Sequence, residues 1–326
     1  MADAQRPPLA PWPGEPESLV VTLDTGEQVH YLDWGGPADG GRPGRPPLLL
    51  LHGLGHTAWA WAPVARRLRP LTRVLAMDLR GHGLSEAARQ GYDLESQAYD
   101  ALTVLSANGW GTDVDGQPAA VAGHGLGALI AATAASVRPA SIAAVALVDA
   151  GWEDLAAASG QSAADFERGL GDPPEVLASM DAYLADRRDY DPASWDADQE
   201  RAARAAVDEK YAGHVKPVAR PLVIHGSVGA MFDYDPDEVA ARIEQPLLIA
   251  VAGAGTPDDE EGRLRALALD DLLRLRRAAG LDEPIVERFD GAGHNLMRYR
   301  PAGLATALAQ LLDRAATSAR APGGPA

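Results

Sequence analysis

Short apolar runs alternate with longer segments of helical periodicity along most of the chain. The runs are four to eight residues long and predict β-strands. They cover residues 19–23, 28–34, 47–51, 73–77, 119–122, 143–148, 246–251 and 284–289. Between them, residues 58–67, 94–107, 128–137 and 264–279 carry helical patterns. The later strands are apolar at nearly every position, which is typical of a parallel sheet covered on both faces. The pattern predicts an α/β protein with a mostly parallel, eight-stranded sheet.

This alternation stops between residues 151 and 243. That segment is acidic, helical in pattern and rich in Trp and Tyr, and the strand pattern resumes after it. We expect an inserted helical cap over the strand ends, with residues 18–150 and 244–316 forming the core. Residues 1–17 and 317–326 are rich in Pro, Gly and Ala with little to bury, so we expect flexible tails.

Charge and composition exclude several classes of function. The formal net charge is −17, which disfavours nucleic acid as a partner. The chain contains no cysteine, so disulfides, Cys-ligated zinc and Cys nucleophiles are excluded. No apolar run approaches a membrane span, and residues 1–17 lack the apolar core of a secretory signal. We therefore expect a cytoplasmic protein without membrane contacts, whose partner is a small-molecule substrate or ligand.

One segment carries most of the chemical information. Residues 121–128 read Val-Ala-Gly-His-Gly-Leu-Gly-Ala and lie between an apolar strand and an Ala-rich helix. This is the setting of the G-x-S-x-G nucleophile elbow, a sharp turn that presents its central side chain above the sheet. The flanking Gly123 and Gly127 are present, but the centre is Gly125. The position that should hold a nucleophile therefore has no side chain.

Three further strings follow predicted strands in a set order. They are His52-Gly53-Leu54-Gly55, the segment 78–85 (Asp-Leu-Arg-Gly-His-Gly-Leu-Ser), and Gly291-Ala292-Gly293-His294-Asn295. Together with the elbow, they resemble the α/β-hydrolase superfamily over residues 18–316.

This resemblance implies roles for particular residues. His294 matches the catalytic histidine, and the backbone N–H groups of Leu54 and Leu126 would form an oxyanion hole. The acid is open: the usual G-x-x-D position ends here in Thr256, so Asp149 after the preceding core strand is preferred over Asp258 or Asp259. The residues expected to line the pocket are His52, Gly53, His124 and Trp152. Neither a metal nor a cofactor is expected.

Three functions remain open at this point. The chain is a divergent enzyme that uses His294 and the oxyanion hole without a covalent intermediate, a binding protein whose pocket has a Gly125 floor, or a serine hydrolase inactivated by a Ser→Gly change. The resemblance favours a small ester-like substrate for an enzyme. The sequence leaves both the substrate and the oligomeric state undecided.

Overall fold

A computed structural model describes residues 14–37, 44–111, 116–170, 179–211, 214–253 and 260–319. Its main feature is an eight-stranded sheet in the order β1-β2-β4-β3-β5-β6-β9-β10. The strands are β1 (Glu17–Thr22), β2 (Gln28–Asp33), β3 (Leu48–Leu51), β4 (Val74–Met77), β5 (Ala119–His124), β6 (Ile142–Val148), β9 (Leu247–Gly253) and β10 (Ile285–Asp290). The two pairings of β2 are antiparallel and all others in this sheet are parallel. The predicted α/β class and mostly parallel sheet are confirmed.

Helices cover both faces of this sheet. The helices of the core are α1 (Ala62–Leu68), α2 (Leu94–Ala107), α3 (Leu126–Val137), α9 (Glu260–Ala278), α10 (Leu296–Tyr299) and α11 (Pro301–Ser318). Alternate residues of one strand enter different apolar clusters: Leu49 packs on the side of α2 and α3, and Leu48 on the side of α1 and α11. Burial of both faces explains why the central strands β3, β4 and β5 are buried along their whole length.

The segment between β6 and β9 forms a separate layer of short elements. It contains α4 (Leu155–Ser159), α5 (Ala163–Leu170), α6 (Met180–Tyr190), α7 (Ala197–Ala205) and α8 (Pro221–Phe232). It also contains an antiparallel pair, β7 (Val207–Tyr211) with β8 (His214–Pro217). The expectation of a purely helical insertion is therefore incomplete, because this short polar hairpin lacks the apolar run that identified the core strands.

Several polar contacts tie the insertion to the core, and two of them involve α7 and α10. Arg66 on α1 forms an ion pair with Asp198 on α7, with 2.6 Å between Nη1 and Oδ2. Arg298 on α10 donates from Nε to the hydroxyl of Ser194 at 2.6 Å. Arg298 lies four residues after His294, so the second contact anchors the insertion close to that predicted site residue.

Asp78 is buried directly after β4, at the carboxyl end of that strand. Its carboxylate accepts hydrogen bonds from His30 Nδ1 and from the backbone N–H groups of Ala58 and Leu84, at 2.6 to 3.0 Å. Burial alone would raise the pKa of Asp78, but the His30 hydrogen bond and these N–H donors hold it below its usual value. The anionic carboxylate therefore stabilises the loops after β3 and β4.

We expect Asp78→Ala to lower the free energy of unfolding by about 3–5 kcal/mol, because it leaves several buried donors without an acceptor. Denaturant titration measures this. Asp271→Ala, which breaks an exposed pair with Arg274, is the control and should cost less than about 1 kcal/mol. Equal losses in the two variants would contradict the role given to Asp78.

The same carboxylate predicts an acid limb of stability. Its pKa is lower in the folded protein than in the unfolded chain, so its contribution is complete above the unfolded pKa of about 4 and disappears as the pH falls through the folded pKa. Asp78→Ala should remove this part of the pH dependence in urea titrations between pH 6 and pH 2. An unchanged acid limb would show that other carboxyls produce it.

Candidate active site

The turn between β5 and α3 is held by close backbone approaches. A Cβ on Gly123 would lie 1.8 Å from the carbonyl oxygen of Gly127, and a Cβ on Gly127 would lie 2.4 Å from that of Leu51. Both distances are far below any real contact, so only glycine fits at these two positions. The sequence adopts a sharp strand-to-helix turn because the flanking residues let the helix start directly against the sheet.

Gly125 lies at the apex of this turn. Its φ of 55° and ψ of −123° fall outside the regions that L-residues populate readily. Space is not the constraint, because an added Cβ would meet Gly53 Cα and His294 Nε2 at an ordinary 3.5 Å. The apex therefore has room for a side chain and lies against the candidate histidine.

His294 and Asp149 come together although 145 positions separate them in the chain. His294 Nδ1 lies 2.7 Å from Asp149 Oδ2. A carboxylate can only accept, so Nδ1 carries the proton and Nε2 keeps its lone pair. More than half of the His294 side chain is exposed, whereas Asp149 is buried. The arrangement leaves the Nε2 nitrogen of His294 without this partner and facing the Gly125 apex.

Asp149 follows β6 directly in an unusual conformation. Its φ of 54° is the one positive value among the described non-glycine residues. Its Oδ1 accepts from the Ala252 backbone N–H at 2.8 Å and from Arg265 Nη2 at 2.9 Å. Strain of this kind persists only where neighbouring contacts enforce it, and it occurs often at functional sites.

The loop after β3 lies over the apex and is held by two buried histidines. His52 donates from Nδ1 to the Gly53 carbonyl and accepts from the Leu79 N–H at Nε2. His82 accepts from the Gly55 N–H at 3.1 Å. Leu54 lies between these anchored residues. Leu126 is the first residue of α3, so its N–H has no acceptor within the helix.

Three neighbouring imidazoles are neutral at pH 7. Burial, followed by the charge of His82, lowers the pKa of His52 to about 3. Burial and then the charge of His294 lower the pKa of His56 to about 4, and the same two causes lower that of His124 well below its usual value. His124 lies against His294 with the ring centroids 4.3 Å apart and the ring planes tilted by 47°, and its Nε2 donates to the His294 carbonyl at 3.0 Å. These rings support the site rather than carry charge.

Sequence reasoning missed one charged pair that lies behind His294 and Asp149, which together are called the dyad below. Arg265 on α9 contacts Asp149 and also donates from Nε to Glu153 Oε1 at 3.1 Å. Trp152 lies against this pair, with its buried ring 4.8 Å from the guanidinium carbon of Arg265. The helical pattern of residues 264–279 predicted this helix, but no sequence signal distinguishes Arg265 from the exposed arginines around it.

The remaining candidates differ in what the structure describes. His52, Gly53 and His124 lie at the apex and in the loop above it, whereas Trp152 lies beside Arg265. Asp258, Asp259 and Thr256 fall outside the described residues. Within the described ranges, no three His, Asp or Glu side chains are placed to hold a metal ion. None of the helices in that part of the chain is long and apolar enough to span a bilayer.

The chain is similar to proteins of one large family. Residues 48–307 match the alpha/beta hydrolase family. The chain is 31% identical over 232 residues to "Putative carbamate hydrolase RutD" of Variovorax paradoxus, covering 69% of this chain and 77% of that protein. It is 32% identical over 114 residues to human epoxide hydrolase 4, covering 34% and 28% of the two chains.

A solved structure shares the fold. The crystal structure of E-2-(acetamidomethylene)succinate hydrolase superposes with a TM-score of 0.73 at 22% identity, covering 91% of this chain and 99% of that one. Together with the sequence match, this shows that the chain belongs to the α/β hydrolase family.

We expect any side chain at position 125 to destabilise the fold, because it would strain the backbone there without clashing with its neighbours. Gly125→Ala and Gly125→Ser should each lower the free energy of unfolding by about 1–3 kcal/mol, because both place a Cβ on a strained conformation without a clash. Gly229→Ala, at an uncrowded position inside α8, should instead be neutral or stabilising by up to about 1 kcal/mol. Thermal and denaturant unfolding of the three variants test this, and a neutral Gly125→Ala would contradict the strain.

Proposed function

We propose that this protein is a hydrolase that activates water directly with His294 and forms no covalent intermediate. The observation that carries the proposal is the orientation of the imidazole. Asp149 binds Nδ1, and Nε2 faces the position that a Gly125 side chain would take, 3.5 Å from its Cβ. A lone pair held in this way accepts a proton from whatever occupies that position.

Water is the nucleophile that suits this arrangement. A serine CH₂OH group and a water molecule have similar volumes, about 30 Å³ for water. A glycine at the apex therefore leaves space for a water within reach of Nε2. The missing nucleophile is then replaced by the reactant itself.

The reaction would proceed in two steps, addition of water to the carbonyl carbon and breakdown of the resulting tetrahedral intermediate. Nε2 takes a proton from water as the water oxygen bonds to the carbonyl carbon of a small ester-like substrate. The carbonyl oxygen becomes an oxyanion, for which we propose the N–H groups of Leu54 and Leu126 as donors. The bond to the leaving group then breaks, and His294 returns the proton to that group.

Asp149 has two functions in this proposal. Its hydrogen bond fixes the tautomer in which Nε2 is free, and its negative charge stabilises the imidazolium that forms during attack. The similarity to a protein named as a carbamate hydrolase supports a carbonyl substrate. The inserted segment 151–243, tied to α10 through Arg298 and Ser194, would cover the site and select the substrate.

Ester hydrolysis tests the proposal directly. With a panel of short p-nitrophenyl esters, we expect slow turnover that His294→Ala lowers by about 10²–10⁴-fold, a typical contribution of a general base. Asp149→Asn should lose a comparable factor through the wrong tautomer. His225→Ala, which removes an exposed histidine of the insertion, is the control and should leave turnover unchanged. Turnover that survives His294→Ala would overturn the proposal.

A covalent probe separates the two mechanisms. A fluorophosphonate should leave the unaltered protein unlabelled, because Gly125 has no hydroxyl. Gly125→Ser should be labelled and show a burst of p-nitrophenol, and Gly125→Ser with His294→Ala should show neither. If Gly125→Ser is active while the unaltered chain is inert, the inactivated serine hydrolase is the correct interpretation. If both are inert, a binding protein is favoured.

A further inference from the structure

The described charges behind the dyad form one connected chain that ends in an unpaired atom. His294 binds Asp149 Oδ2, Arg265 Nη2 binds Asp149 Oδ1 at 2.9 Å, and Arg265 Nε binds Glu153 Oε1 at 3.1 Å. The second carboxyl oxygen of Glu153, Oε2, is buried without a hydrogen-bond partner. The unpaired buried oxygen makes the ionised form of Glu153 costly and favours protonation, whereas the ion pair with Arg265 favours ionisation.

The surroundings of Glu153 make both states accessible near neutral pH. Burial raises the pKa of Glu153 to about 7, the charge of Arg265 opposes that rise, and Asp149 adds to it. Tyr234, which follows α8, also lies close enough for its pKa to respond to Glu153, but its hydroxyl donates to the Gly151 carbonyl at 2.9 Å. The titratable groups that act on Glu153 thus include one cation, Arg265, and one carboxylate, Asp149, with Tyr234 as a nearby phenol.

We propose that Arg265 and Glu153 are positioning residues that set how much of the negative charge of Asp149 is available to His294. When Glu153 is ionised, it balances the guanidinium, and Asp149 acts fully on the imidazole. When Glu153 is protonated, Arg265 is unbalanced and competes with His294 for the same carboxylate. This inference rests on the base role proposed for His294, because it concerns the acid that orients that base.

Geometry gives Arg265 a positional role as well. Its Nη2 also donates to the Asp149 backbone carbonyl at 3.2 Å, so one guanidinium holds both the main chain and the side chain of a residue in a strained conformation. The ring of Trp152 covers the guanidinium, and the Trp152 Nε1 donates to the Arg265 carbonyl at 3.3 Å. These two contacts with Trp152 hold the Arg265 side chain and main chain in the position from which the guanidinium binds Asp149.

Proton NMR of the His294 Nδ1–H measures the available charge without turnover. This downfield proton moves further downfield as its acceptor becomes more negative, and it is assigned by its absence in His294→Ala. The spectrum is recorded at pH 8.5, where Glu153 is ionised. Here Glu153→Gln should move the signal upfield, because Arg265 loses its balancing charge. Arg265→Met should move it downfield, and Arg265→Lys should restore a position near that of the unaltered protein.

The matched control is Arg274→Met, which removes an exposed arginine from the same helix and should leave the signal in place. Arg265→Met with Glu153→Leu guards against misfolding, since it removes both members of the pair and should still give the downfield shift. Unmoved signals in both Glu153→Gln and Arg265→Met would overturn the proposal and leave the pair a packing feature.

Carbon NMR of the Glu153 carboxyl provides the reciprocal test. In the unaltered protein it should titrate near pH 7, and Asp149→Asn should lower that midpoint by roughly one pH unit because a neighbouring anion is lost. An unchanged midpoint would overturn the coupling.

With p-nitrophenyl esters, Glu153→Gln should lower kcat about fivefold with little change in KM. Failure of the NMR shifts refutes the positioning pair, whereas turnover independent of His294 refutes the proposed hydrolase.

Discussion

The close packing of one turn against the sheet determines the geometry of the whole site. Gly123 and Gly127 let the first turn of α3 lie directly on the ends of β3 and β5, with no room for a single methyl group at either position. The positive φ at Gly125, the N–H groups at the start of α3 and the loop after β3 all take their positions from that contact. Interiors of this density tolerate few alternatives. The turn is therefore fixed in shape by its backbone contacts and does not depend on a side chain at position 125.

A glycine at the apex affects both the energetics of the turn and the chemistry that the proposed site can perform. A non-glycine residue at this φ and ψ stores strain that the surrounding fold must offset. Glycine relieves the strain and removes the covalent route, while the buried carboxylate, the imidazole and the backbone donors are features of other elements. The proposed water mechanism uses only these remaining parts, which is why it fits the family fold without a serine.

Asp149 connects this apex to distant parts of the chain. It directly follows β6, contacts the backbone of β9, and binds side chains from α9 and from the loop before α10. A carboxylate shared by an imidazole and a guanidinium divides its charge between them. Proximity of the Arg265–Glu153 pair to that carboxylate links the helix α9 to the proposed base, although α9 contributes no residue to the apex itself.

The sequence by itself determined the strands of the large sheet and the position of the sharp turn at residues 123–127. The short strand-like runs reproduced all eight strands of the large sheet within two residues, and the glycine spacing at 123–127 located the turn, because burial and backbone shape are local signals. The hairpin β7–β8 was missed, since its polar residues have no such period. Only the tertiary structure decided that Asp149 meets His294 across 145 positions, and that Arg265 and Glu153 lie behind them. Charge pairing depends on distances in space, and an arginine on a basic helix looks the same in sequence whether it faces solvent or a buried carboxylate.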